Sequence, residues 1–233
     1  MSEKTVYEAF VEIREDGSAL AHVLDLPGCS AAGATEAEAL VRVASQIAPH
    51  YAWLRRHDEY TPHVLGDATV VTREVVRLGA PGQRGGAFFS AAALPVTNED
   101  LDWYLALLDW AYTDLYASAH AWESAAVFGP DGRAARAARA VVQQVAQGQV
   151  WLISRLEEQP RVSLVDHLPG TPLSRLRQVW QASLARLRAA SDVERARILE
   201  HDGERWSLRK VLDRSILLVM QAVGELTEHS PYA

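Results

Sequence analysis

Between Thr5 and Ile13 apolar and polar positions alternate, with Tyr7, Ala9, Val11 and Ile13 on one face and Glu8 and Glu12 on the other. A period of two predicts a half-buried strand. Glu15-Asp16-Gly17-Ser18 supplies turn chemistry and Ala19 to Leu24 resumes the alternation, which predicts an antiparallel hairpin that Pro27-Gly28 then ends. At Thr35 the period lengthens. Leu40, Val43, Ala44 and Ile47 recur at helical spacing, and Thr35-x-x-Glu38 is suited to satisfy the orphan amides of a helix start. A helix of about 14 residues is expected, on the usual length scale. Ala68 to Leu78, rich in Val and Thr, predicts a third strand, and Gly86 to Ala92 a fourth, after the Gly-rich stretch from Gly79 to Gly86. The expected order is β-β-α-β-β.

Beyond Leu94-Pro95 almost the whole chain carries helical period. Asn98 to Ala119 is entered through Thr97-x-x-Asp100, with the carboxylate at the end the helix dipole favours. Asp131-Gly132 precedes a second helix over Arg133 to Glu158, and Thr171-Pro172 opens a third over Leu173 to Ala190. Ser207 is placed to cap a fourth over Leu208 to Glu228, and Asp192 to Glu200 predicts a short extra helical segment. Four long amphipathic helices bury their apolar stripes most economically as a bundle. The expected fold class is therefore α+β, with a small ββαββ sheet domain over residues 1–94 followed by an all-α four-helix bundle over 95–233. The change of texture falls between residues 91 and 97.

Composition narrows the functional classes. The 233 residues are 48% hydrophobic and 23% charged, as in an ordinary folded protein. The net charge is −7 and the basic residues are scattered, which argues against a nucleic-acid backbone binder. Cys29 is the single cysteine, so no internal disulfide forms. Met1-Ser2-Glu3-Lys4 leads into strand pattern without an apolar signal region, and no apolar run approaches the ~20 residues of a membrane span. A cytoplasmic protein without membrane or nucleic-acid partners is expected.

Tyr7-Glu8-Ala9-Phe10, Asp16-Gly17-Ser18-Ala19-Leu20-Ala21-His22-Val23, Asp25-Leu26-Pro27-Gly28-Cys29 and Gly33-Ala34-Thr35-Glu36-Ala37-Glu38-Ala39-Leu40 together carry a hairpin, an LPGC turn and a capped, EA-rich helix. In that order they resemble the HicB-like antitoxin domain, over residues 5 to 50. The resemblance implies a small sheet similar to a truncated RNase H fold, without nuclease activity, which in antitoxins blocks a partner RNase. Antitoxins usually append a small DNA-binding segment, whereas a helical domain follows here. An interaction or scaffolding sheet is the expectation. Cys29 reads as a small buried hydrophobe and His22 as a structural residue.

The stretch Arg136 to Leu156, with Val141-Val142-Gln143-Gln144-Val145 at its centre, resembles the second helix of DinB-like four-helix proteins, and Trp206-Ser207-Leu208-Arg209-Lys210-Val211-Leu212 the opening of their fourth. The likeness covers residues 97 to 228. Members of that superfamily commonly hold a divalent metal through three His, one on the second helix and two at i, i+4 on the fourth, where both imidazoles share a face. Carried over residue by residue, those places fall on Gln144, Leu218 and Ala222, none of them a histidine. No His occurs between His120 and His167 or between His201 and His229, so a one-residue register error does not restore the set. No metal and no cofactor are expected.

Other constellations are weaker. His50 and His57 share a helix face if the helix runs that far, with His63 beyond, but Arg55-Arg56 lies between and a solvated linker is the simpler reading. Glu200-His201-Asp202 points its groups in different directions, and His201-Asp202-Gly203 reads as a helix stop. Gly79 to Gly86 lacks the GK[ST] ending of a phosphate loop. Asp100 and Asp102 suit a helix N-terminus without catalysis. Trp103, Trp110, Trp122, Trp151, Trp180 and Trp206 read mainly as core, with an interhelical pocket lined by Gln144, Trp151, Trp110 and Ser215 as the place an apolar ligand would enter.

The leading expectation is a non-catalytic binding or assembly protein that forms a homodimer and takes a protein partner through its N-terminal sheet, whose edges need cover. The alternative is a DinB-type metal-dependent enzyme, a thiol-dependent transferase or hydrolase, with a displaced metal site that would draw on His120, His167 and His201. An antitoxin of a HicA-type toxin ranks third.

Overall fold

The computed structural model describes residues 5–59, 68–79, 85–128, 132–160 and 165–228. The chain divides into two compact units, Met1–Ala93 and Leu94–Ala233. The first is mixed α+β and the second is mainly helical.

In the first unit the elements are β1 (Val6–Ile13), β2 (Ala19–His22), β3 (Ser30–Gly33), α1 (Glu36–Arg56) and β4 (Thr69–Arg77). They form one four-stranded sheet in the order β3-β2-β1-β4. β1 and β2 pair antiparallel, as the alternation predicts, with Phe10 opposite His22 and Ile13 opposite Ala19. Pro27-Gly28 turns the sheet rather than ending it. Gly28 takes φ +90°, the Val23 amide donates to the Cys29 carbonyl at 3.0 Å, and β3 returns antiparallel to β2. β3 escapes the sequence reading because Ser30-Ala31-Ala32-Gly33 has no large apolar alternation.

The helix starts where Thr35 predicts: the Thr35 hydroxyl accepts from the Glu38 amide, and the Glu38 carboxylate reaches back to the Ala34 amide at 2.8 Å. It runs 21 residues, not about 14, because the buried stripe Ala39, Val43, Ile47 continues through His50, Trp53 and Leu54. Pro49 lies inside it and forgoes one backbone hydrogen bond, a cost that burial of the following turn outweighs. This helix is the crossover that lets β4 lie parallel to β1. Arg73 is the extra residue of a bulge, since the register passes from Ala9–Thr72 to Phe10–Glu74.

Tyr7, Val11, Ile13, Val23, Leu26 and Cys29 pack on one sheet face with Ala39, Val43 and Ile47 of α1. The other face was expected to be polar, yet Glu12 is only 2% exposed. Residues 85–93 cross it. The Ala87 amide donates to Glu12 Oε2 at 2.7 Å, the Ser90 amide to Glu74 Oε2 at 2.9 Å, and Phe89 packs edge-on against Phe10 and His22. Those amides serve carboxylates instead of a ladder, so in place of the expected fourth strand over Gly86–Ala92 there is an irregular segment closed by a 3-10 turn at Ser90–Ala93. The observed order is β-β-β-α-β.

The second unit holds α2 (Asn98–Phe128), α3 (Gly132–Ser154), α4 (Pro172–Arg188), α5 (Asp192–Ala196), β5 (Ile198–His201), β6 (Glu204–Ser207) and α6 (Leu208–Glu228). α2 is longer than expected and α3 shorter at its end. Thr97 and Asp100 exchange side-chain and backbone hydrogen bonds at 3.0 and 3.2 Å, Thr171 caps α4, and the Ser207 hydroxyl accepts from the Lys210 amide at 3.2 Å. Only Asp192–Ala196 of the expected extra helical segment is helical. The rest is a hairpin, because Asp202 (φ +56°) and Gly203 (φ +76°) supply the two left-handed residues of a tight turn.

Cross-helix contacts set the directions. Tyr104 meets Asp213 and Trp122 meets Leu226, so α2 and α6 run parallel. Tyr112 stacks on Trp180 while Arg177 lies over Tyr116, so α4 runs against α2. Asp166 touches Gln143 and Arg175, and Glu157 touches Arg186, so α3 and α4 run parallel.

Candidate functional site

The three places where the resemblance implies metal ligands do not share one environment. Gln144 on α3 is exposed, Leu218 on α6 is half-buried and Ala222 is 5% exposed. The α3 residue that faces Leu218 is Gly148, one turn beyond Gln144. A Cβ on Gly148 would stand 2.9 Å from Leu218 Cδ2, so the leucine fills the space that the glycine leaves.

The four residues expected to line an interhelical pocket differ in exposure and in their ring contacts. Ser215 is fully buried, whereas Gln144 is exposed. Trp110 stands edge-on to Trp103 on its own helix, with centroids 6.0 Å apart. Trp151 stands edge-on to Trp206 at 5.3 Å, and the Arg155 guanidinium lies 4.9 Å above the Trp151 ring. On the other side Lys210 Nζ lies 4.1 Å from the Trp206 centroid. These two cation–aromatic contacts pin the end of α3 and the start of α6 beneath the hairpin. Trp180 stacks on Tyr112 and donates to Asp109, and Trp122 donates to the Leu226 carbonyl, so these indoles serve packing.

The bundle interior holds polar groups that matter more. Tyr104 Oη donates to Asp213 Oδ1 at 2.8 Å. Burial pushes the Asp213 carboxyl up to about 6, against the Tyr104 hydrogen bond and the nearby Arg209 and Arg214 charges. Burial, reinforced by Asp213, drives the Tyr104 phenol far above its ordinary value. Arg209 donates to Asp100 Oδ2 at 2.6 Å and to the Pro95 carbonyl at 3.1 Å. Burial opposes ionisation of Asp100, but hydrogen bonds from Arg209 and Thr97 outweigh it and hold the carboxyl below the usual range.

Deeper in the bundle, Tyr112 Oη, both polar atoms of the Gln149 amide and Ser215 Oγ are buried without a hydrogen-bond partner among protein atoms. All three side chains are 0% exposed. Gln149 was missed by attention to Gln144, although the sequence carries its signal: it is the one polar residue in the stripe Val142, Val145, Ala146, Gln149, Leu152.

The remaining candidates lie elsewhere. α1 ends at Arg56, so His57 lies just past it at the C-cap, and both His50 and His57 pack against Trp53 between them, at 5.4 and 5.2 Å. Burial pushes the His50 imidazole down to about 4 and the Cys29 thiol up to about 12, so the first is neutral and the second inert at neutral pH. His63 and residues 80–84 of the Gly-rich stretch lie outside the described residues. His201 contacts the Arg155 carbonyl at 3.2 Å, Asp202 approaches the Arg155 guanidinium at 3.7 Å, His120 packs against Tyr116, and His167 is exposed. Among the described residues no group of three or more His, Cys, Asp or Glu is placed to hold a metal ion, and no helix is long and apolar enough to cross a membrane. Compared with family models, curated proteins and solved structures, the chain matches none.

Proposed function

We propose that this chain is a non-catalytic binding or assembly protein, in which a HicB-like sheet unit precedes a DinB-like bundle whose three-histidine place is filled by packing. The observation that carries the reading is the interlock of Leu218 with Gly148, together with the burial of Ala222 one turn along the same helix. An aliphatic side chain seated against a glycine offers no donor to a metal. The strand order β3-β2-β1-β4 with β1 and β4 parallel supports the likeness of the first unit to a truncated RNase H sheet, and four long mutually packed helices support that of the second.

Assembly is favoured by β4. It is a nine-residue edge strand with Val71 43% and Val75 40% exposed, long enough to accept a second copy of the chain. Elemental mass spectrometry on tag-free protein purified without chelator, combined with light scattering over a range of concentrations, tests both halves. The proposal expects no stoichiometric divalent metal and a dimer mass. A stoichiometric metal would favour the enzyme alternative, and a monomer at every concentration would remove the homodimer.

A further inference from the structure

The two faces of the four-stranded sheet are built from different chemistry. On one, Tyr7, Val11, Ile13, Ala21 and Val23 meet Ala39, Val43 and Ile47 of α1 in an apolar layer. On the other, the registers set Phe10 opposite both His22 and Glu74, and Glu12 opposite Val76. Residues opposite one another share a face, so three ionisable side chains stand there among apolar ones. Residues 85–93 cover this second face as a strap.

Side chains of the sheet hold the strap, and none of its residues joins the ladder. The Ala87 amide donates to Glu12 Oε2 at 2.7 Å, and the Ser90 amide and hydroxyl donate to Glu74 Oε2 at 2.9 and 2.5 Å. Phe89 stands edge-on to Phe10 and to His22, with centroids 5.5 and 5.7 Å apart. Gly79, Gly82, Gly85 and Gly86 stand at its N-terminal side in the sequence. Gly86 takes φ +65°, a left-handed value that glycine adopts without strain.

A carboxylate under a covering layer loses its hydration and is compensated there only through good hydrogen bonds. Lifting the strap returns Glu12 and Glu74 to water, whereas lifting α1 would expose hydrocarbon to it. Opening on the strap side is therefore the less costly of the two, and the neighbouring glycines are suited to absorb the backbone rotation. We infer that residues 85–93 form a displaceable strap, latched by Glu12 and Glu74, which opens while the sheet and α1 stay folded. Opening exposes a face of Phe10, Glu12, His22, Glu74 and Val76. A partner that docks on this face must first displace Phe89, so the strap regulates its access. The latch does not rest on the dimer proposed through β4.

The test is residue-resolved hydrogen–deuterium exchange by NMR on the full chain, in conditions where closing outpaces exchange. In the wild-type protein the Ala87 amide should be protected at least tenfold less than the best-protected amides of β1. Low concentrations of denaturant should leave its protection unchanged while lowering that of β1, the mark of a local opening. Equal protection of Ala87 and β1, with a shared denaturant dependence, overturns the inference, because the strap then opens only with the whole unit. Glu74→Gln keeps the shape of the latch but weakens a charge-assisted acceptor. It should lower Ala87 and Ser90 protection at least threefold and leave β1 unchanged, while Cys29, buried on the α1 side, stays unreactive to iodoacetamide. Unaltered strap protection, or an equal fall in β1, overturns the latch. The wild-type comparison stands whether or not the variant folds.

Discussion

The Tyr104 phenol on α2 donates to Asp213 on α6 at 2.8 Å, and it ties together two parallel helices near their N-terminal ends. Burial holds the carboxyl's titration up at about 6, above an unfolded value near 3.8. Between those pH values the folded chain binds a proton that the unfolded chain has released. Asp213 thus contributes most to stability below about pH 4, and the contribution is lost as pH rises through 6. Asp213→Asn should remove that dependence from the helical unit, read as urea midpoints or amide exchange of α2 and α6 between pH 4 and 7. Unchanged pH dependence in the variant would contradict the assignment.

His50 should act in the opposite direction in the sheet unit. Its folded value of about 4 lies below the ordinary 6.5, so between those values the unfolded chain binds the extra proton. The stability this imidazole contributes is complete above pH 6.5 and is lost as pH falls through 4. Acidification from pH 7 to 5 is then expected to lower the protection of α1 amides around Trp53, relative to their intrinsic exchange rates at each pH, while α2 and α6 gain protection. His50→Phe should abolish the α1 half of that response alone. Equal responses of the two units, resolved peptide by peptide by hydrogen–deuterium exchange, would speak against it.

Trp206 is 1% exposed and lies between Trp151 and the Lys210 ammonium. Trp206→Ala removes a buried aromatic and should cost about 3–5 kcal/mol. Arg155→Met keeps the aliphatic stem but loses the charge over Trp151, with an expected cost of about 1 kcal/mol. Denaturant unfolding followed by tryptophan fluorescence checks both, and similar losses for the two variants would show that the cation carries more than ring contact.

Local rules in the sequence located most elements. Thr35, Thr97, Thr171 and Ser207 begin helices where side-chain capping predicts, and the alternation of Tyr7 to Ile13 marks the central strand. The misses share a physical reason, which is that their structure is decided by something distant. Glu12 looks solvent-facing until the segment carrying Ala87 and Phe89 folds over it. Asp202-Gly203 satisfies both a helix stop and a tight hairpin turn, and only the pairing of Leu199 with Trp206 decides for the hairpin. Ser30 to Gly33 becomes a strand because β2 offers a free edge, not through its own propensity. In the bundle, a resemblance pointed to Gln144, while the apolar stripe of the same helix already singled out Gln149.

The interlock of α3 with α6 offers the last and sharpest test. A methyl group at position 148 would meet Leu218 Cδ2 at 2.9 Å, closer than carbon atoms tolerate. Gly148→Ala improves helix propensity by about 1 kcal/mol, so in an open groove it would stabilise the protein. Here the end of the half-buried Leu218 side chain must swing aside to admit the methyl, so the gain should be smaller than in an open groove. Leu218→Ala alone loses buried aliphatic surface and is destabilising. In Gly148→Ala/Leu218→Ala the clash disappears and the helix gain returns, so the double variant should be more stable than the sum of the single effects predicts. A coupling near zero in the thermodynamic cycle would show that the two residues do not meet, and with it would fall the argument that packing fills the place of the metal.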